Sequence, residues 1–193
     1  MPTALFTTGA EFTIKNLQAA YQGEINTRAR YKAFAQKAED EGWSGIASLF
    51  RATARAEQIH ADNQARVLRQ MGGEARADVY SYPVRTTLEN LKAALSGETY
   101  EIGTMYPAFI DEAQANIHTN AARSFTLAME AERSHSRLYS KAIALMEEIA
   151  SKSWITEARE FYVCPVCAHT SEHRESDNCD VCQYPTERVE TVR

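Results

Sequence analysis

Glu57-Gln58-Ile59-His60 and Glu132-Arg133-Ser134-His135 carry the same Glu-x-x-His pattern, seventy-five residues apart in a chain of 193. At i and i+3 of an α-helix both side chains leave from one face. A single such pair is usually a solvated helix face, but here the surrounding sequence repeats as well. Asn16-Leu17-Gln18-Ala19-Ala20 matches Asn90-Leu91-Lys92-Ala93-Ala94, and Gly23-Glu24 matches Gly97-Glu98, at a spacing of seventy-four. Tyr31 and Tyr106, Phe34 and Phe109, and the two Glu-x-x-His motifs pair at seventy-five. The second half therefore holds one extra residue between Glu98 and Tyr106. In a regular α-helix that residue would rotate Tyr106 away from the face of Glu98. The spacing predicts a π-bulge there, a device that recurs at functional sites.

Outward from these motifs, apolar positions at three- and four-residue spacings mark four long helices with one buried face each. The first is expected from Thr13 to Asp40, with Leu17, Ala20, Glu24, Thr27, Tyr31 and Phe34 inward. The second is expected from Ser44 to Met71, with Phe50, Thr53, Glu57, His60, Gln64 and Val67 inward. The third starts at Thr86, where Thr86 and Glu89 fit a capping box, and turns Leu88, Leu91, Leu95, Glu98, Ile102 and Phe109 inward. The fourth runs from Ile117 to Ala150 through Phe125, Ala128, Glu132, His135, Tyr139 and Met146. Glu41-Gly42-Trp43 and the stretch around Gln114 to Asn116 read as short turns, and Gly72 to Arg85 as a long crossover. Short, long, short is the loop pattern of a ferritin-like bundle.

One inward Glu on each of two helices, Glu24 and Glu98, joins a Glu-x-x-His on each of the other two. That is the ligand set of carboxylate di-metal sites in bundles. Four carboxylates facing one apolar core repel one another and lose hydration, at several kcal/mol per ion, unless cations neutralise them. Oxygen ligands with one or two imidazoles suit iron or manganese. Glu57 and Glu132 are placed to bridge two metals, Glu24 and Glu98 to be terminal ligands, and His135 a terminal nitrogen ligand. Glu101, three residues after Glu98, shares its face. Tyr31 and Tyr106 read as donors that orient ligand glutamates. His118 reads as a surface residue.

The four cysteines lie near the end, as Cys164-Pro165-Val166-Cys167 and Cys179-Asp180-Val181-Cys182. Two C-x-x-C pairs form a tetrahedral four-sulfur site for iron or zinc, and so short a tail needs that metal to fold. A short strand is expected at Glu160 to Val163. Ala168 and Gln183 stand just after the second cysteine of each pair, where the backbone is tight; Ala168 must tolerate a positive φ or the turn must differ. His169 and His173 are superfluous as ligands once four cysteines complete the shell.

The formal net charge is −5, with 44% hydrophobic and 24% charged residues. Mild acidity without a basic face excludes a nucleic-acid binder. No basic run suits a membrane surface, and no apolar stretch approaches the roughly 18 residues that span a bilayer. With no signal-like segment from Met1 to Phe12, a cytoplasmic protein is expected.

Gly97-Glu98-Thr99-Tyr100-Glu101, followed by Met105-Tyr106-Pro107, resembles the third helix of rubrerythrins, and the cysteine tail resembles rubredoxin. Bacterioferritins lack both the second glutamate and the tail. The resemblance runs from about Glu11 to Pro185. It implies an all-α ferritin-like four-helix bundle, residues 1–155, followed by a small rubredoxin-like β/loop domain with a four-cysteine metal site, residues 156–193. It implies two Fe held by Glu24, Glu57, Glu98, Glu101, Glu132 and His135, with one iron shifting from Glu101 to His60 on reduction. Glu101, His60, Tyr31 and Tyr106 would carry the catalysis. It further implies one Fe, or Zn, at Cys164, Cys167, Cys179 and Cys182. The implied activity is reduction of hydrogen peroxide, with electrons from a redox donor protein or an NAD(P)H-dependent reductase. The implied assembly is a head-to-tail homodimer. The alternatives are an O2-using ferroxidase, an iron-storage protein with a zinc-ribbon docking tail, and a peroxide sensor.

Overall fold

The computed structural model describes residues 9–148, 153–174 and 177–193. Helices α1 (Gly9–Asp40) and α2 (Ser44–Gln70) form one antiparallel pair. Between them Gly42 sits at φ 81°, the left-handed conformation that ends a helix at low steric cost. The second pair is α5 (Thr119–Glu147) against a long helix in three parts: α3 (Thr87–Tyr100), a π-helical segment (Glu101–Met105) and α4 (Tyr106–Ala115). The π segment falls where the seventy-four-residue spacing gives way to seventy-five, so one extra residue is absorbed without breaking the helix. The capping box at the start of α3 is present, with Thr86 accepting from the Glu89 N–H and the Glu89 carboxylate accepting from the Thr86 N–H.

The first helix starts four residues before the expected Thr13. The last begins at Thr119 rather than Ile117, because Ile117 takes φ 59° and closes the preceding helix instead. Its expected end, Ala150, lies outside the described residues. All six inward positions expected on α1 and on α2 are buried. On the third helix only Leu91 and Glu98 are; Leu88, Leu95, Ile102 and Phe109 are half-buried, because the outer side of that helix is covered by no other described element. His118 is half-buried rather than at the surface, and its Nδ1 lies 2.8 Å from the Thr13 hydroxyl.

The crossover lies along α1 and is tied to it by amides. Gln18 bonds the backbone N–H and C=O of Arg76, Gln22 does the same to Asp78, and Asn26 bonds the Asp78 carbonyl and the Tyr80 N–H. Four helical residues advance about 6 Å and two extended residues about 6.6 Å. The two periods therefore stay in step over this length.

After a short helix α6 (Ser153–Thr156), strands β1 (Phe161–Val163), β2 (Thr170–Ser171) and β3 (Glu190–Val192) form an antiparallel sheet in the order β2-β1-β3. The boundary expected at 155/156 falls inside α6. Trp154, Ile155, Phe161, Val163 and Ala168 belong to the same core cluster as Tyr31, Phe34, Phe50 and Tyr139 of the bundle, so the module completes the bundle core and has little of its own. Gly45 explains how closely the two approach: a Cβ there would lie 2.1 Å from the Trp154 carbonyl oxygen. Two clamps hold the seat. Arg55 forks onto Glu190 at 2.6 and 2.7 Å. Glu172 accepts from Lys141, the Trp154 indole at 2.6 Å and Arg159 at 3.2 Å.

Candidate metal centres

Each bundle helix delivers one acid at mid-height. Glu24, Glu57, Glu98, Glu132 and His135 are each at most 1% exposed, and His60 is 2% exposed. Their ligating atoms form two overlapping groups, each within 4.8 Å: Glu24, Glu57, His60 and Glu132, and Glu57, Glu98, Glu132 and His135. Glu57 and Glu132 belong to both, as bridging carboxylates must. Nδ1 of His60 lies 3.0 Å from Glu57 and 2.8 Å from Glu132; Nδ1 of His135 lies 2.6 Å from Glu132. One oxygen of each of the four glutamates accepts no hydrogen bond although buried. Such orphaned acceptors are rare in native interiors, and two divalent cations would satisfy all four. The donor set therefore fits a pair of metal ions.

The titration of these groups gives the same picture. Burial, then the neighbouring carboxylates, pushes Glu57, Glu98 and Glu101 well above the ordinary carboxylate range. Glu24 is raised by burial and Glu132 against the opposing pull of His60. Burial would lower His60, but Glu132, Glu57 and Glu24 outweigh it and raise the imidazole well above its usual value. Burial also works to raise Glu132, and the two histidines override it and hold that carboxyl low. The cluster thus recruits protons to replace missing positive charge, a role that cations would take over.

Each tyrosine serves the glutamate of the opposite repeat. Tyr31 donates to Glu98 at 2.5 Å, and Tyr106 donates to Glu24. Two further residues belong to this arrangement. Gln64 donates to the Tyr106 hydroxyl at 2.9 Å and to Glu24 at 3.3 Å. The Tyr139 hydroxyl lies 2.6 Å from the Thr53 hydroxyl, and its ring packs edge-on against Tyr31 with centroids 5.6 Å apart. Sequence reasoning placed both on inward faces but gave them no role. The signal was present: Gln64 and Tyr139 are themselves seventy-five residues apart, each one helical turn beyond a motif histidine. Glu101 opens the π segment beside this cluster, half-buried and outside both four-residue groups.

The four cysteines converge, with Sγ pairs at 3.5 Å (Cys164–Cys182) and 3.6 Å (Cys167–Cys179), and none forms a disulfide. A tetrahedron with metal–sulfur bonds of about 2.3 Å has edges of about 3.8 Å, so the thiols fit a metal. The two knuckles are twins. Ala168 N–H returns to the Cys164 carbonyl and Gln183 N–H to the Cys179 carbonyl, both at 2.9 Å. Ala168 takes φ 67°, the first of the two options its position left open, and Gln183 takes φ 63° in the same way. Hydrogen bonds from Cys167 and Cys179 bring the Cys164 thiol down to about 4. His169 and His173 stand outside the group.

The first knuckle sits on the acid cluster. Nε2 of His60 lies 3.3 Å from the Cys167 carbonyl oxygen, and Nε2 of His135 lies 3.4 Å from the Ala168 carbonyl and 3.2 Å from the Thr170 hydroxyl. Asn63 donates to the Val166 carbonyl at 2.8 Å. Acceptors at both Nε2 atoms hold a proton on each of these nitrogens, so that in the metal-loaded site the neutral imidazoles would offer their Nδ1 atoms to the ions.

A four-helix bundle with two Glu-x-x-His motifs, two further glutamates and an appended four-cysteine site defines a carboxylate di-iron protein with a rubredoxin-like centre. The Rubrerythrin family model matches residues 15–143, and the chain belongs to that family. Nigerythrin of Nitratidesulfovibrio vulgaris is 33% identical over 90% of this chain and 83% of its own. Rubrerythrin-2 of Clostridium acetobutylicum is 31% identical over 86% and 89%. Among solved structures, the fully reduced, all-ferrous state of nigerythrin superposes with a TM-score of 0.83 at 33% identity, over 93% of this chain and 86% of that one. Desulfovibrio desulfuricans bacterioferritin, at 19% identity and a TM-score of 0.70 over 76% of this chain and 86% of its own, shares the fold. Among the described residues no helix is long and apolar enough to cross a membrane.

Proposed function

We propose that this chain is a cytoplasmic peroxidase that reduces hydrogen peroxide to water, with electrons delivered through the four-cysteine centre. The observation that carries the reading is the seat of the first cysteine knuckle on both candidate ligand histidines. An electron-transfer centre has a purpose when it touches the site that consumes electrons, and a bare storage cavity has no use for one. When bound, two ferrous ions supply both electrons of H2O2 + 2e⁻ + 2H⁺ → 2H2O together, so no one-electron product escapes.

The protein's own groups then have distinct tasks. Glu57 and Glu132 would be shared between the two ions, and Glu24 and Glu98 would hold the two ends; Tyr106 with Gln64, and Tyr31, would fix those end glutamates by hydrogen bonds. His135 would ligate one end in both redox states. His60 belongs to the group formed with Glu24, Glu57 and Glu132, the arrangement the family resemblance assigns to the reduced state. Glu101 would exchange with it on oxidation. Four carboxylates balance two ferrous ions, and the two extra charges of the ferric pair favour a fifth. The π segment gives Glu101 a backbone that is already outside the α-helical hydrogen-bond pattern. The donor to the four-cysteine centre is a redox protein or an NAD(P)H-dependent reductase.

The head-to-tail homodimer places the four-cysteine centre of one subunit on the acid cluster of the other. In the single chain the module seats on its own bundle, which differs from that expectation. The two arrangements need the same contacts, since exchanging the module between two chains leaves Cys167–His60, Asn63–Val166 and Arg55–Glu190 intact.

The test is anaerobic mixing of the fully reduced, iron-loaded protein with hydrogen peroxide and, separately, with air-saturated buffer, followed by ferric absorbance. Oxidation by peroxide should be much faster; equal or slower oxidation sinks the peroxidase reading. A 24-subunit particle would favour storage.

A further inference from the structure

A cleft of about 320 Å³ opens beside the first cysteine knuckle, between α2, the first turns of α5 and the knuckle itself. Asn63, Arg66, Asn120, Arg123, Ser124 and Val166 line it, and no Asp or Glu does. Val67 and Leu127 complete an apolar part of the wall, and every polar side chain that lines it can donate a hydrogen bond. Arg66 and Arg123 have no carboxylate partner among the described residues; Arg66 instead donates to the Asn63 side chain at 3.1 Å. Asn63 is itself pinned by its bond to the Val166 carbonyl, so one guanidinium is held in place without being neutralised. Asn120 belongs to the first turn of α5, which carries no acidic residue and no side-chain cap. The positive end of that helix dipole is therefore unspent. Ser124 is only 9% exposed, and its hydroxyl has no hydrogen-bond partner. A buried hydroxyl left alone costs free energy, and a bound acceptor in the cleft would relieve it.

We infer that this cleft binds a tetrahedral oxyanion of the phosphate class, with Arg66 and Arg123 as the charge-bearing forks and Ser124 and Asn120 as neutral donors. Guanidinium groups match phosphate oxygens in pairs. The volume exceeds that of one phosphate, so free inorganic phosphate and the phosphate of a nucleotide are both admitted. Val166 lies between Cys164 and Cys167, so a dianion here adds negative charge beside the four-cysteine centre and makes its reduction harder. Binding is independent of the peroxidase assignment; only this effect on electron supply rests on it.

The experiment is isothermal titration of the metal-loaded protein with inorganic phosphate, adenosine 5′-monophosphate and adenosine, at constant ionic strength set with chloride. Saturable binding of phosphate or the nucleotide, and none of adenosine, is expected. Tighter binding of the nucleotide identifies that source, and equal binding identifies free phosphate. Arg123→Gln and Arg66→Gln, both at exposed positions that leave the core untouched, should each weaken binding by about tenfold. Arg137→Gln, a control on α5 away from the cleft, should leave it unchanged. Absence of saturable binding, or an equal loss in the Arg137 variant, overturns the site. A midpoint potential of the four-cysteine centre that does not move on saturation overturns the regulatory role while leaving the binding result and the peroxide test separate.

Discussion

The carbonyl oxygen of Cys167 lies 3.3 Å from Nε2 of His60, so a residue of the sulfur site and a residue of the carboxylate site share one hydrogen bond. The next carbonyl, that of Ala168, does the same for His135. Consecutive carbonyls in an extended chain point to opposite sides. The left-handed turn at Ala168 redirects the backbone so that both serve neighbouring imidazoles. The module therefore helps to set the geometry of the bundle site.

The tyrosine bonds should matter for both stability and metal binding. Tyr31→Phe strips Glu98 of a donor, and Tyr106→Phe does the same to Glu24. Each should cost about 1–3 kcal/mol in the metal-free protein and weaken metal binding by about 10–100-fold. Urea denaturation and competition with a chromophoric chelator measure the two effects. A variant matching the parent in both would remove the orienting role.

Deleting Thr104 restores the seventy-four-residue spacing through the third helix. Glu24 and Tyr31 already sit seven residues apart on a regular helix, so the shortened chain should still fold, bind two metals and keep the Tyr106–Glu24 bond. It should lose the placement of Glu101, and its rate advantage with peroxide over air should fall by at least about tenfold, 1.4 kcal/mol of barrier. Stopped-flow oxidation of the reduced variant decides it. Full retention of that advantage would separate Glu101 from the chemistry.

Metal uptake should release protons. Burial and mutual repulsion raise Glu57, Glu98 and Glu101 in the empty cluster, and cations displace the protons held there. Adding ferrous or manganous ion anaerobically to weakly buffered apo-protein near neutral pH should acidify the solution, as a pH indicator dye reports. Glu101→Gln should release fewer protons. Affinity should rise with pH for the same reason.

Acid should loosen the module before the bundle melts. Burial opposes it, but Lys141, Trp154 and Arg159 hold Glu172 below its ordinary 4.5, and the Arg55 fork does the same to Glu190. A carboxyl depressed in the folded state contributes stability that is full above its unfolded pKa and is lost as pH falls through the folded one. The clamps should be complete above about 4.5 and fail progressively below it. Trp154 fluorescence in a Trp43→Phe background follows the change, and Glu172→Gln should flatten that limb.

Mixing two inactive chains separates the two module arrangements. One carries Cys164→Ser; the other carries Glu57→Ala. Refolded together, they should recover peroxidase turnover if modules are exchanged between subunits, because one acid cluster in the mixed pair then receives an intact four-cysteine centre. A mixture as inactive as its parts assigns the module to its own chain.

Much of this was readable beforehand because repetition is a strong signal. Apolar spacing located four helices, the duplicated Glu-x-x-His motifs and the repeat around them located six ligand candidates, and the one-residue offset located the π segment. The side chains that hold the ligands were harder to read. Gln64 and Tyr139 are repeat partners of different chemistry, so identity matching passes over them. The contact between His60 and Cys167 spans 107 positions and goes to a backbone atom, for which no side-chain pattern exists. The half-burial of Leu88 and Leu95 likewise depends on what covers the outer face of α3, which helical period alone does not report.

The amide ladder along α1 has a consequence for how this sequence can drift. Gln18, Gln22 and Asn26 hold only main-chain atoms of Arg76, Asp78 and Tyr80, so the identities of those three residues are nearly unconstrained. Their count is not: one inserted residue would turn every second peptide over and present the wrong edge to the helix. Across homologues this segment should therefore vary freely in letter and scarcely in length, with the three amides on α1 as the fixed partners of a changing strap.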